Sequence, residues 1–226
     1  MRMRIRLGRW LLVWVACTCI RAPLSAAEEK NPYPFGKAEF QARQIADVLE
    51  LTRRADQYRA ECVRLFASEQ PLPDIEHFGR EAKNWYRSVL EREPSNAYAS
   101  LCIGYIDLII GRAATNRTAR SNSFAAAMSR FREALEKRPG YAEAYLYMAQ
   151  VHALRGEYAE AEKNLRLILN SGIENSHIHS WMAYILIQTK RKPEARVHIE
   201  RAIELDDPSP SAQWSRQNQD AVAGVK

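Results

Sequence analysis

Five histidines and four cysteines are the residues of this 226-residue chain best suited to metal or redox chemistry. His177 and His179, with His198 further on, could hold a zinc or copper ion through imidazole nitrogens. No Cys or Asp cluster joins them, so packed or solvated histidines are the expectation. The alternative is a small-ligand or metal-handling secreted protein built on His177, His179 and His198. Cys17 and Cys19 lie in an apolar run near the start, which leaves Cys62 and Cys102. Two buried apolar thiols are expected there, with a disulfide as the alternative if an oxidising compartment and Cα atoms within about 7 Å allow it. There is no Cys-x-x-Cys to support a redox pair. A phosphate-cradling glycine loop, a Gly-x-Ser-x-Gly and a His-Glu-x-x-His are all missing from the sequence. The chain therefore offers no catalytic set, no metal site and no cofactor motif, and it reads as a non-enzyme.

The elements that would position any site are declared by one stretch, Ala142 to Leu169. Its first half sets Tyr145, Met148, Ala149 and His152 on one helical face, Gly156 marks a turn, and Tyr158, Ala161, Leu165 and Ile168 share the next helix. A shift of 34 residues carries Met148, Ala149, Ala161 and Leu165 onto Met182, Ala183, Ala195 and Ile199. The same shift backward carries Ala161, Leu165 and Ile168 onto Ala127, Phe131 and Ala134. Gly104 then takes the place of Ala149, but Gly104 and Ala127 are 23 residues apart where Ala149 and Ala161 are 12, so eleven residues are added. Upstream, Ala82, Tyr86, Val89 and Pro94 precede Ala127, Phe131, Ala134 and Pro139 by 45, the same eleven added to 34. A repeat at this period is one supersecondary unit that must share its core with its neighbours.

This pattern resembles the tetratricopeptide repeat (TPR) family over roughly residues 75–207. The resemblance rests on Gly104, Ala127, Phe131, Ala134 and Pro139, then Tyr145, Ala149, Gly156, Tyr158 and Ala161, then Ala183, Ala195 and Ala202. It departs at Ser100 and His179, which stand where the family has an early aromatic. The resemblance implies an all-α, right-handed α-solenoid of about four helix-turn-helix units. These would be residues 38–96, 97–141, 142–175 and 176–208, followed by a capping helix and tail at 209–226. The polar run near 112–122, with three arginines and no acid, is expected to project as a loop.

The first helices of such a solenoid line a concave surface that binds a partner segment. By the repeat register those positions are Tyr98, Leu101, Tyr105 and Leu108, then Glu143, Leu146, Gln150 and Ala153, then His177, Ser180, Tyr184 and Ile187. Family members that clamp a terminal carboxylate place Lys, Asn and Arg there. Leu101, Tyr105, Leu146 and Gln150 argue against that ligand and for an apolar or aromatic segment. Some of these tyrosines have the alternative of packing between repeats.

At 46% hydrophobic and 27% charged, the composition is that of an ordinary globular chain. Residues 1–27 read as a signal peptide: four early arginines, an eleven-residue apolar run from Trp10 to Ile20, and small residues before Ala27. That run is shorter than the ~20 residues a membrane span needs. A lipoprotein or uncleaved anchor is the lesser alternative. Residues 28–37 form a Pro- and Gly-containing linker. Five of the 33 basic residues lie in the leader, leaving 28 against 27 acids, so the excess that would suggest nucleic acid is discarded with it. An exported, periplasmic chain whose partner is another envelope protein is the resulting expectation.

Overall fold

The computed structural model describes the backbone of residues 37–205 and 210–223, with side chains within 45–205 and 213–219. The expected leader, the linker before Lys37 and the turn at Pro208 lie outside the described residues. Among the described residues there are nine α-helices and no strand. They are α1 (Lys37–Ala67), α2 (Leu72–Arg92), α3 (Ala97–Ala113), α4 (Arg117–Lys137), α5 (Ala142–Arg155), α6 (Tyr158–Asn170), α7 (Ser176–Gln188), α8 (Lys192–Leu205) and α9 (Pro210–Ala223). The helices pack pairwise, α1 with α2, α3 with α4, α5 with α6 and α7 with α8, and each pair stacks on the next. Helix α9 covers α8 and α7. The chain is thus an α-solenoid.

Local chemistry sets the helix ends. Asn96, Asn116 and Asn175 accept hydrogen bonds from the backbone N–H groups of Ala99, Ala119 and Ile178 and so cap α3, α4 and α7. Gly156 ends α5 in the left-handed region at φ 82°, which its missing Cβ permits. Asp74 lies in the first turn of α2. The helix starts at Leu72, with Pro71 as cap and a proline already in the opening turn.

The second helices are amphipathic. Helix α4 buries Phe124, Ala127, Met128, Phe131 and Ala134, and α8 buries Ala195, Ile199 and Ala202. Helices α3 and α7 are enclosed on nearly every side, because each lies between its own partner and the neighbouring pairs. The small residues sit where helices cross: Ala127, Ala134, Ala149, Ala161, Ala183, Ala195 and Ala202 are all buried. Tyr145 and Tyr158 are half-buried, and Pro139 is exposed in the turn after α4.

Gly104 lies at a close crossing of α3 and α4. A Cβ there would lie 2.7 Å from the Phe131 ring and 3.0 Å from Arg130 Cβ. On an open helix surface Gly→Ala stabilises by about 1 kcal/mol through helix propensity. Gly104→Ala should instead destabilise by about 1–3 kcal/mol through overpacking, and Phe131→Leu added to it should recover part of the loss. Thermal melts followed by circular dichroism read the sign, and a stabilised Gly104→Ala would place Gly104 away from the crossing.

The eleven added residues are not a projecting loop. Residues 112–113 end α3, residues 117–122 begin α4, and only 114–116 connect them. Eleven residues are about three helical turns, and the chain spends them lengthening both helices of the pair. The turns are held by packing: Gly111 lies against Phe124, where a Cβ would come within 2.6 Å of the ring, and Arg112 stands over the Phe66 ring of α1 at 5.3 Å. Arg120 closes the turn by donating two hydrogen bonds to the Ala114 carbonyl, at 2.8 and 3.2 Å.

Two apolar cores result. One joins α1 to α4 and takes Tyr141, Ala144, Tyr147 and Val151 from α5 and the turn before it. The other joins α6 to α9 and takes Leu146, Ala149 and Ala153 from the same helix.

Candidate partner-binding surface

The first helices α3, α5 and α7 meet in series through their side chains. The Tyr105 ring stacks on Tyr147 with centroids 4.8 Å apart, joining α3 to α5. The Gln150 amide lies 3.0 Å from His177 Nε2, joining α5 to α7. The Ser180 hydroxyl lies 3.0 Å from that of Ser215, and Tyr184 meets the Trp214 ring edge-on, joining α7 to α9.

The open groove expected from the repeat register is therefore corrected. Leu101, Tyr105, Leu108, Leu146, Gln150, His177, Ser180 and Tyr184 are buried, and so is Ala153. Ring-sized and amide side chains on successive first helices reach across to one another, and α9 closes over α7. Glu143 is exposed, while Tyr98 and Ile187 are half-buried. Trp214 on α9 is itself buried. Among the described residues, three buried polar atoms on α5, α7 and α9 find no hydrogen-bond partner: Gln150 Oε1, Trp181 Nε1 and Trp214 Nε1.

The histidines do not converge. Residues two apart on a helix are rotated by about 200°, so His177 turns to Gln150 while His179 turns to His198. His179 Nδ1 and His198 Nδ1 are 2.8 Å apart, and His179 Nε2 lies 3.1 Å from the Glu174 carboxylate, which Arg201 also holds. No group of three metal-binding side chains occurs among the described residues. The grouping of His177 with His179 and His198 is thereby corrected.

Burial keeps these imidazoles neutral. It pushes His177 down to about 3, with the charge of Arg112 adding to the effect. Burial and the neighbouring His179 push His198 down to about 4, and burial also lowers His179. An unfolded histidine titrates near 6.5, so the unfolded chain takes up protons first as pH falls. The stability these groups contribute is complete above about 6.5 and is lost as pH falls from there towards 4 and 3. Melting temperature should be flat from about pH 8 to 7 and decline below about 6.5, before ordinary carboxylates protonate. His177→Gln and His198→Asn should each flatten that decline, and an unchanged slope in both variants would show that other groups cause it.

Cys62 and Cys102 are free, buried thiols. Burial raises both, Cys62 to about 12, so neither is a nucleophile at neutral pH. The Cys62 thiol donates to the Ile75 carbonyl at 3.4 Å.

A polar cluster that sequence reading did not find ties α1 to the next two helices. Asp56 Oδ1 accepts from the Tyr86 hydroxyl and from the Tyr98 hydroxyl at 2.7 Å, and it pairs with Arg59 at 3.1 Å. Arg59 also donates to the Tyr86 and Tyr98 hydroxyls, at 2.9 and 3.3 Å. Burial raises both tyrosines above their ordinary range. Charged residues three apart are routine on helix surfaces, so this pair gives no signal in the sequence of being buried.

Comparison with known proteins agrees with this geometry. Residues 119–172 match the tetratricopeptide repeat family model. The chain is also similar to a crystal structure described as a thermophilic TPR protein of Thermus thermophilus. The TM-score is 0.56 at 18% identity, over 84% of this chain and 95% of that one. At that identity the likeness is one of fold. No curated protein matches. Among the described residues no helix is long and apolar enough to cross a membrane.

Proposed function

We propose that this chain, an α-solenoid whose residues 119–172 match the tetratricopeptide repeat family model, is a non-enzymatic adaptor of the cell envelope that holds a segment of another protein along its first-helix face. The reading is carried by the serial contact of α3, α5, α7 and α9 through Tyr105–Tyr147, Gln150–His177 and Ser180–Ser215. Such a continuous face is the surface solenoids present to partners. Its buried tyrosines and leucines give the face its shape, and a partner meets it at the exposed Glu143 and the half-buried Tyr98 and Ile187. The arginine-rich start, the short apolar run and the small residues before Ala27 support export, which leaves the mature chain in the periplasm.

The test is crosslinking in the periplasm after expression of the full chain, comparing wild type with Glu143→Arg on the first-helix face and Glu160→Arg on α6. Glu143→Arg should change the captured proteins and Glu160→Arg should not. Identical profiles for both would remove the face from consideration. Sequencing the amino terminus of the recovered protein checks export separately, with a start near residue 27 or 28 expected.

A further inference from the structure

Away from the first-helix face, the start of α4 and the α5–α6 turn border an open surface concavity of about 700 Å³. Arg117, Arg120 and Arg155 line it. Elsewhere the arginines are mostly spoken for: Arg53, Arg54, Arg64, Arg166, Arg191 and Arg201 each hold a carboxylate. Arg117 and Arg155 hold none, and neither has a polar side-chain partner among the described residues. Arg120 is spent on the Ala114 carbonyl, which fixes its position but leaves its charge uncompensated. The one acid in the lining, Glu157, is turned to His152. The first turn of α4 carries no acidic residue, so two of the three guanidinium groups sit at the positive end of a helix. Like charges gathered there are unfavourable until an anion arrives.

We propose that this concavity docks an acidic segment of a partner protein that also carries an apolar side chain. The charge calls for carboxylates, which guanidinium forks bind in bidentate fashion. Thr115 and Ser121 also line it, and the half-buried Leu154 beside the edge of Phe124 adds an apolar part against which one apolar side chain would pack. This site stands independently of the first-helix face, and neither needs the other to be occupied.

The test is fluorescence anisotropy on the full chain at about 50 mM salt, where charge pairing is weakly screened. The probes are a labelled Asp-Asp-Leu-Glu-Glu peptide, its Asn-Asn-Leu-Gln-Gln counterpart, inorganic phosphate as competitor, and vesicles containing phosphatidylglycerol. The acidic peptide should bind and the amide peptide should not. Arg117→Gln and Arg155→Gln should each weaken binding about tenfold, and Arg132→Gln, an exposed arginine further along α4, should not. Circular dichroism confirms that the variants fold. The proposal is overturned if wild type does not bind the acidic peptide or if Arg117→Gln/Arg155→Gln binds it as well as wild type. It is equally overturned if phosphate alone binds as tightly as the peptide, or if only the vesicles capture the protein.

Discussion

Ala149→Arg is expected to unfold or loosen the solenoid, lowering stability by about 3–5 kcal/mol, because it places a charge without a partner at a helix crossing. Ala149 is 1% exposed and packs in the second core with Leu146, Ala153, Ala161 and Leu165. Domains are stable by roughly 5–15 kcal/mol in total, so a loss of that size removes a large share of the margin. Glu160→Arg is the matched control, introducing the same side chain on the outer surface of the facing helix. Its carboxylate is 58% exposed and stands 3.9 Å from Lys163. Losing that weak pair and its place in the first turn of α6 should cost below about 1 kcal/mol. With roughly 2–4 °C per kcal/mol for a chain of this size, the two variants should melt well apart. Equal melting temperatures would mean that α5 and α6 do not cross at Ala149.

Asp56→Ala should be comparably damaging for a different reason. One carboxylate oxygen accepts from Tyr86, Tyr98 and Arg59, and Arg59 is 6% exposed. Its removal leaves a buried guanidinium with no counter-charge, a defect that typically costs about 3–5 kcal/mol. Asp56→Ala/Arg59→Leu discards the stranded charge as well, and it should be more stable than Asp56→Ala alone although it carries one change more. Urea midpoints read both variants. A double variant no better than the single would mean that the cost lies in the tyrosine hydroxyls and not in the cation.

Much of the fold is legible in the sequence because its key positions are small residues at fixed spacing, and no other residue type fits where two backbones approach. The 34-residue shift reappears in the structure, where α5 and α7 begin at Ala142 and Ser176 and α6 and α8 at Tyr158 and Lys192. The insert hides its helices because Arg-Ala-Ala-Thr-Asn-Arg-Thr-Ala-Arg-Ser-Asn has no apolar stripe and so lacks the usual sign of one. A better sign is present. Gly104 meets Phe131 and Gly111 meets Phe124, so a seven-residue step forward on α3 is matched by a seven-residue step back on α4. That mirror spacing marks an antiparallel pair continuing through the inserted turns.

The open groove fails for another reason. Spacing fixes which side of a helix a residue occupies, and Tyr105, Gln150 and Ser180 do lie along one series. Spacing does not say whether the next helix is near enough to bury that side. The partners Tyr147, His177 and Ser215 come from other turns of other units, which no single-repeat pattern contains. The basic concavity is visible in sequence only as an arginine-rich run, because Arg155 is brought beside it by the turn at Gly156.

Helix α5 contributes one side to each of the two cores, and that makes it a shared wall. After a backbone cut at the exposed Gly156 turn, parting the fragments would bare the side of α5 that faces Ala161 and Leu165, leaving each with one half of an apolar seam. Nicked protein should therefore elute as a single species on a sizing column and separate into two polypeptides only in denaturant.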